Sequence, residues 1–369
     1  MTTAATIDKD LDDGVLAMAA GLAVACGVSE ERTAAAFGDQ AASVGRRTGR
    51  SGLLPVLSTW CDAMGAGRLR DPHVIVDKTT DIERRVRAAG GGGTFSLASS
   101  LAGELIARAA YDAGSTVARG IAAQVEVANF HAIRSVALEQ TAPFSRVSGT
   151  GELPMAGLDD ERAGTVRLGT SGVALRIPRQ VLVDNNAPAL AKVFQDLGAR
   201  AALAVDYELF KNAVMEGSDV FYTSANANRL TGSGLSSTTL GAAETLLWSQ
   251  CDKHKRPLGV RPAALLLPPE LVHVGRGLLG AQPAGNAALR LLVSPLLSLS
   301  TMPGYSPTTW YLAADPTSSV VPFQLTTLAG RPGPTVEAGA MDATGVEMRA
   351  FFDFACTAVD PRGAAKVTA

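Results

Sequence analysis

A long amphipathic helix constrains the fold of this chain more than any other feature of its sequence. Residues 187–216 carry apolar side chains at intervals of three and four, the spacing that places them on one face of a helix. The apolar positions are Leu190, Phe194, Leu197, Ala201 and Val205. Asn186 can cap the helix and Pro188 suits its first turn. About 28 residues make a rod of roughly 40 Å, a length typical of a spine on which other elements pack.

The residues before this helix predict a pair of extended strands that project from the rest of the fold. Residues 125–130 and 133–138 suggest strands, and residues 173–177 alternate with the period of two that a strand requires. The stretch between them is long, polar and interrupted by glycine and proline. It also carries three consecutive acidic residues, Asp159, Asp160 and Glu161. A long hairpin is the favoured interpretation, and an ordinary surface loop is the alternative.

The first 90 residues are rich in alanine and are predicted to be helical. Their most apolar window, Gly14–Val28, is shorter than the roughly 18–20 residues that span a bilayer, so it predicts a buried helix. The N-terminal residues lack a basic region followed by an apolar one, and no secretory signal is expected.

A glycine run marks the best candidate for a linker. Gly90–Gly93 follow a charged segment, and four glycines in a row cost the most backbone entropy to order. A further helix is predicted from Thr94. Its apolar face is expected to contain Leu101, Leu105 and Ala109.

Charge and cysteine content exclude several function classes. The 369 residues have a formal net charge of −2, so the basic excess typical of proteins that grip nucleic acid is absent. This charge is compatible with a surface that faces DNA without binding it tightly. The four cysteines, at positions 26, 61, 251 and 356, fit neither a disulfide framework nor a paired metal knuckle. They are expected to be reduced, partly buried thiols of a cytosolic product.

Cys251 and His254 form the strongest local candidate for a metal or catalytic site. The helix before it places Leu240, Ala243, Leu247 and Cys251 on one apolar stripe, and His254 follows the end of that helix. A zinc site needs further ligands, which this spacing does not supply. The pair therefore predicts a turn between a helix and a buried strand rather than a metal site.

Other catalytic patterns are missing from the sequence. No G-x-S-x-G elbow, P-loop or dinucleotide fingerprint occurs. None of the four histidines has a neighbour at metal-ligand spacing, and acidic residues 159–161 are typical of a solvated loop. We therefore predict no catalytic residue, no cofactor and no metal. A large fold with extended arms is more typical of an assembly protein than of an enzyme.

Five blocks of sequence, in order, resemble the Mu-like major head subunit family of tailed phages. The longest joins Leu-Trp-Ser-Gln-Cys-Asp and Arg-Pro-Leu-Gly-Val-Arg-Pro (247–262) to Leu-Leu-Leu-Pro-Pro-Glu-Leu (265–271). The others are IPRQVLVDNN (177–186), TWYLAADP (309–316) and GVEMRAFFDFACTAVDPRGAAK (345–366). The resemblance covers roughly residues 94–366 and is weakest over the first 90. The sequence departs from the family at two places: Asp184-Asn185-Asn186 replaces the family's Asn-Asp before the spine helix, and Pro361 replaces its usual aromatic residue. Neither departure involves a catalytic pattern.

This resemblance implies an α+β fold, the Hong Kong 97-type capsid fold. The implied segments are an N-terminal helical segment, scaffold-like or retained (1–90), an N-arm (91–130), an E-loop (131–180), a peripheral domain with the spine helix (181–222), an axial domain (223–339) and return strands of the peripheral domain (340–369). The N-terminal segment is expected to stay in the particle and to pack its apolar face against the shell or a neighbouring subunit.

The implied function is that of a major capsid subunit in the virion, assembled in the host bacterial cytoplasm. Pentamers and hexamers of the chain would form an icosahedral shell around double-stranded DNA, without sequence-specific binding and without a membrane. A portal protein, and cement or scaffolding proteins in some systems, are the expected partners. An encapsulin-like shell around an enzyme cargo is the alternative that keeps the fold. A cytosolic α/β enzyme is the alternative from another class.

Overall fold

The structure, a computed structural model, contains both helices and sheets, and the predicted α+β class is confirmed. It describes residues 13–88, 94–114, 117–140, 158–215, 220–232, 234–280, 289–342 and 344–369. The helices are α1 (Asp13–Ala25), α2 (Glu30–Phe37), α3 (Asp39–Gly49), α4 (Leu53–Ala63), α5 (Pro72–Ala88), α6 (Thr94–Ala113), α7 (Val117–Ile121), α8 (Arg179–Val183), α9 (Ala187–Leu209), α10 (Ser237–Trp248) and α11 (Val272–Gly280). The strands are β1 (Ala122–Val127), β2 (Ile133–Gln140), β3 (Leu158–Val166), β4 (Gly169–Pro178), β5 (Arg229–Thr231), β6 (Pro262–Leu267), β7 (Arg290–Val293), β8 (Trp310–Ala314), β9 (Phe323–Leu328), β10 (Thr335–Asp342), β11 (Gly345–Ala358) and β12 (Ala364–Thr368).

The long helix predicted from residue 187 is confirmed as α9. Its 23 residues span about 35 Å, and a single π-helical turn, Phe210–Val214, continues it. The predicted cap is also present, because the Asn186 Oδ1 accepts the backbone N–H of Ala189 at 3.0 Å. That bond satisfies one of the N–H groups that the first turn of a helix leaves without a partner.

The chain divides into two compact units. Unit 1 is drawn from residues 1–115, 170–202 and 330–353, and unit 2 from residues 116–169, 203–329 and 354–369.

The N-terminal helices supply half of the core of unit 1. Thirty buried apolar residues pack together there, and 15 of them lie within residues 13–88. The other 15 come from residues 95–107, 177–197 and 336–350. α1 packs against both α3 and α6. The described part of the first 90 residues is therefore part of this core, and the glycine run at 90–93, outside the described residues, does not mark the edge of a separate body.

Two side chains in unit 1 cap the N-termini of helices to which they do not belong. The Asn185 Oδ1 accepts the backbone N–H groups of Leu53 at 2.6 Å and Leu54 at 3.0 Å, in the first turn of α4. Asn185 has a φ of 54°, a left-handed conformation that asparagine adopts more readily than most residues. Glu83 of α5, which is fully buried, accepts the backbone N–H of Phe95 in the first turn of α6. Both caps bind the N-terminal helices to the rest of unit 1.

Helices α6 and α9 cross closely within unit 1, at positions occupied by glycine. A Cβ added to Gly103 would lie 2.5 Å from the Phe194 ring, and one added to Gly198 would collide with the Ala107 carbonyl. On the face of α6 predicted from its leucines, Leu101 and Leu105 are half-buried and pack against the core of unit 1. The buried residues of α6 include Phe95, Ala98, Ala102 and Ile106. Small side chains let neighbouring elements approach this face closely, and the larger leucines lie at its edges.

Unit 2 contains a five-stranded sheet in the order β5-β12-β8-β6-β7. β12 pairs in parallel with β5 and antiparallel with β8, while β6 pairs antiparallel with β8 and in parallel with β7. α10 packs on this sheet through Leu240, Ala243 and Leu247. Elsewhere in unit 2, β1 pairs in parallel with β9, and the last residues of β11 pair antiparallel with β9. In unit 1, earlier residues of β11 pair with β10 and β4.

The C-terminal strands β11 and β12 belong to different sheets. β12 joins the sheet built from residues 229–314 instead of returning with β11. β5 is the shortest strand of the sheet that β12 joins. Its three residues pair with β12, and a strand this short has no periodic signal of its own.

We expect the close helix crossing in unit 1 to make Gly198 far less tolerant than a glycine on an open helix face. Gly198→Ala should lower the free energy of unfolding by about 1–3 kcal/mol, because its methyl group overpacks against the backbone of α6. Gly241→Ala on α10 is the matched control, since no atom lies within 4 Å of the added Cβ. That variant should gain about 0.5–1 kcal/mol. Urea unfolding followed by circular dichroism measures both, and equal effects would contradict the crossing.

Candidate functional site

The turn between α10 and β6 contains Cys251 and His254, the strongest local candidate for a metal or catalytic site in the sequence. Cys251 was expected on the last helical turn, and that expectation is wrong because α10 ends at Trp248. Cys251 is exposed and forms an isolated β-bridge with Pro257. His254 is exposed at the tip of the same turn. Among the described residues, no group of three histidine, cysteine or acidic side chains could hold a metal ion.

An ion pair and several backbone contacts fix the conformation of this turn, which we call the 251–257 turn. The Asp252 carboxylate accepts from the Arg256 Nε at 2.6 Å and from the Arg256 backbone N–H at 2.8 Å. The backbone N–H of Leu258 donates to the Gln250 carbonyl at 2.9 Å and closes the base. Lys255 has a φ of 59°, which few residues other than glycine adopt without strain. Lys253, His254 and Lys255 are thereby presented to solvent on an ordered turn.

The remaining cysteines lie inside the protein, and all four are free thiols as expected. Burial raises the pKa of Cys26 to about 12. The pKa of Cys356 is raised further, by burial and by the nearby carboxylates of Glu208 and Asp206. Because only a thiolate is a good nucleophile, these two thiols are chemically inert at neutral pH.

A buried ion pair closes the C-terminal part of unit 2. The Asp360 carboxylate accepts from the Arg362 Nε at 2.9 Å and from its Nη2 at 2.6 Å, and both side chains are less than one-tenth exposed. Asn228, fully buried, donates through Nδ2 to the carbonyl groups of Pro361 and Phe221, each at 2.9 Å. Together these bonds hold the short turn that leads into β12. The sequence offered the Asp-Pro-Arg-Gly block as a motif but gave no signal that Asn228 would meet it.

Another buried carboxylate supports the end of α9 in unit 2. The Asp206 oxygens accept the backbone N–H groups of Val117 at 3.2 Å and Ala118 at 2.8 Å, which begin α7. Burial raises the pKa of Asp206, while the two backbone donors and Arg119 oppose the shift. This carboxylate has a complete capping role, so it is not a candidate acid or base.

The first arm of the predicted hairpin is confirmed as β2, but the predicted returning arm is wrong, because residues 173–177 lie in β4, which pairs with β11. Residues 159–161, expected in the connecting stretch, lie in β3. The observed hairpin consists of β2 and β3, which pair antiparallel from Ile133↔Val166 to Gln140↔Leu158. Its base packs on the apolar residues Val127, Leu168 and Ala355. Within the described part of the chain, β2 and β3 pair only with each other. The hairpin tip at 141–157 and the side chains of residues 159–161 lie outside the described residues.

The buried and ion-paired polar side chains described above hold turns and helix ends in place. Among the helices that the structure describes, none combines the length and apolar character needed to cross a membrane. Several large apolar side chains are exposed, including Leu203, Val220 and Trp248.

A family model described as "Phage capsid protein" matches residues 161–367, which is more than half of the chain. It includes the 251–257 turn, β8 and the Asp360–Arg362 pair. No curated protein sequence matches the chain.

Several solved structures are similar in fold. A protein of Microbacterium phage Oxtober96 has 13% identity and a TM-score of 0.46, and the match covers 69% of this chain and 91% of that one. A phage-related protein from Bordetella bronchiseptica RB50 has 12% identity and a TM-score of 0.46, over 71% and 95% of the two chains. The SrpI encapsulin of Synechococcus elongatus PCC 7942 has 10% identity and a TM-score of 0.45, over 67% and 84%. Because these TM-scores are all below 0.5, the structural similarities carry no argument about the chain, and its family is identified from the family model alone.

We expect the buried pair in unit 2 to be critical for stability and an exposed pair to be nearly neutral. Asp360→Asn should cost about 3–5 kcal/mol of unfolding free energy, because it leaves the Arg362 charge buried without its counter-charge. Glu347→Gln is the control, since its pair with Arg349 is exposed and is worth about 0–1 kcal/mol. Thermal unfolding of both variants tests this expectation. A melting temperature for Asp360→Asn equal to that of the control would show that the pair does not hold the turn before β12.

Proposed function

Because this chain belongs to the phage capsid protein family, we propose that it is the major capsid subunit of a tailed phage or prophage. In this proposal, copies of the chain assemble into pentamers and hexamers that form an icosahedral shell around double-stranded DNA. The family match over residues 161–367 is the observation that carries the proposal. The net charge of −2 agrees with a shell that encloses DNA without binding it tightly.

The arrangement of elements supports a Hong Kong 97-type subunit. α9 is the spine helix of the peripheral domain, and the β2–β3 hairpin within 131–180 is the E-loop that reaches a neighbouring subunit. The sheet of unit 2 from β5 to β8 forms the axial domain, to which we now add β12. Residues 91–130 keep the role of N-arm. Contacts between different surfaces of identical copies close into rings, and rings can tile a shell.

The partners follow from this role. A portal protein would occupy one vertex, and cement or scaffolding proteins would bind where the shell requires them. We propose the virion capsid as the location of the chain and the host bacterial cytoplasm as the place of assembly. No catalytic role is assigned to any residue.

The purified chain should form particles in the megadalton range. Each subunit has a mass of 38.0 kDa, so a closed shell is separated easily from a monomer or dimer by size-exclusion chromatography. Electron microscopy should then show closed shells of uniform size. Elution at the mass of one or two subunits would contradict the proposal and favour the cytosolic enzyme. Particles from the native host that contain an enzyme in place of DNA would favour the cargo shell.

We also propose that the N-terminal segment remains in the mature shell. Half of the buried core of unit 1 comes from residues 13–88, and the caps by Asn185 and Glu83 bind these helices to later segments. Removing the segment would expose the apolar partners that it covers, including Phe194 and Met348. A transient scaffold would leave no such core behind, so these helices serve as a permanent part of the subunit.

Intact mass spectrometry of purified particles should show one species near the full 38.0 kDa. In a second arm, a specific protease site replaces Gly90–Gly93 and the chain is cut there. The two fragments should stay together on native chromatography and separate only in denaturant, because the shared core holds them. Particles that lack about the first 90 residues, or fragments that separate under native conditions, would show that the segment is a removable scaffold.

A further inference from the structure

The core of unit 1 contains an apolar cavity that its side chains do not fill. The cavity has a volume of about 20 Å³. Protein interiors are close-packed and contain few spaces larger than a water molecule. Roughly 10–15 Å³ is the least volume that holds one molecule of that size. The cavity is therefore large enough for one small guest molecule.

The walls of the cavity come from both parts of the unit 1 core. Leu22 and Leu57 belong to the N-terminal helices α1 and α4, whereas Ala102, Phe194 and Met348 belong to α6, α9 and β11. All five side chains are buried. The cavity therefore lies inside the core that the N-terminal helices share with the segments that follow them.

These walls offer a water molecule too few polar partners. Cys26 supplies the thiol of the lining and Ser99 supplies its hydroxyl. The Ser99 hydroxyl already donates to the Ser96 carbonyl at 2.9 Å, and a thiol is a weak donor and a weak acceptor. A buried water molecule typically makes about three hydrogen bonds, so water is a poor occupant of this space.

The same walls favour a guest that is apolar and polarisable. The sulfur atoms of Cys26 and Met348 and the ring of Phe194 are themselves polarisable. A guest would give them the dispersion contacts that an unfilled space withholds. Burial raises the pKa of Cys26 to about 12, so its thiol faces the cavity without a charge at neutral pH.

We propose that this space, which we call the Met348 cavity, is a binding site for one small, uncharged and apolar molecule or atom, of the size class of methane or xenon. The guest would contact the N-terminal helices and the later segments at once. Because the site exists only while these parts are packed together, a bound guest would stabilise the N-terminal helices on the rest of unit 1. The proposal holds whether or not the chain assembles into shells.

Xenon is the probe, and methionine methyl groups report where it binds. The full chain, as unassembled subunits, carries carbon-13 at its methionine methyl groups, and its spectrum is recorded at increasing xenon pressure. The Met348 resonance, assigned by its loss in Met348→Leu, should shift and reach a plateau. Met18, Met215 and Met302 are buried but do not line the cavity. Their resonances should shift little and without a plateau.

A variant that fills the space tests the position of the site. Ala102→Val places two further methyl groups on a side chain that lines the cavity, so the Met348 plateau should be lost. Ala35→Val is the matched control, because Ala35 is exposed on α2, and it should keep the plateau. Circular dichroism checks that each variant is folded. If Ala102→Val does not fold, Ser99→Val fills the same space from the previous turn of α6.

Hydrogen exchange gives the second readout, the effect of the guest on the N-terminal helices. At a xenon concentration equal to its dissociation constant, amides of α4 that exchange through opening of these helices should exchange about twofold more slowly. At ten times that concentration the reduction should be about tenfold. Amides of α10, in unit 2, should exchange at an unchanged rate.

The capsid proposal is tested by particle formation and is unaffected by these outcomes. A Met348 shift no larger than that of Met18 would overturn the inference, and so would a plateau that persists in a folded Ala102→Val or Ser99→Val chain. A plateau at Met215 or Met302 in place of Met348 would assign the xenon to unit 2 and would also overturn it. Exchange in α4 that saturating xenon leaves unchanged would refute the stabilising effect on the N-terminal helices.

Discussion

The close approach of α6 to α9 sets the geometry on which unit 1 depends. Gly103 and Gly198 leave no side chain at the crossing, so each helix packs against atoms of the other with almost no space between them. α1 then packs on α6, and α3 packs on α1. The Asn185 cap joins this layered arrangement to the residues that lead into α9. A change in the α6–α9 spacing would displace every helix that lies above it.

The sequence predicted the elements whose signals are local and periodic. α9 has a regular apolar stripe and a capping asparagine, and β6 has a continuous apolar run, so both are found where expected. On α6 the leucines of the predicted apolar face are half-buried against the core, whereas the small residues Ala98 and Ala102 are buried. β5 and the cap by Asn185 depend on partners far away in sequence. No window of local sequence contains that information.

The blocks that carried the family resemblance have structural roles in this fold. TWYLAADP contains β8, whose five residues are all buried in the sheet of unit 2. The Asp-Pro-Arg-Gly block contains the buried pair of Asp360 and Arg362. Cys251, which resembled a reactive residue, belongs to a turn fixed by Asp252 and Arg256. A capsid family can therefore be recognised from residues that maintain its fold, although its function lies in surfaces whose sequences carry no motif.

The position of β12 has a consequence for the order in which the protein is made. β12 lies between β5 and β8, in the interior of its sheet, and unit 1 likewise needs residues 330–353. Neither unit can be completed on the ribosome until the last strands have emerged from it. A nascent chain that still lacks β12 would leave β5 and β8 without the strand between them, so the edges of both strands would be open until β12 is made.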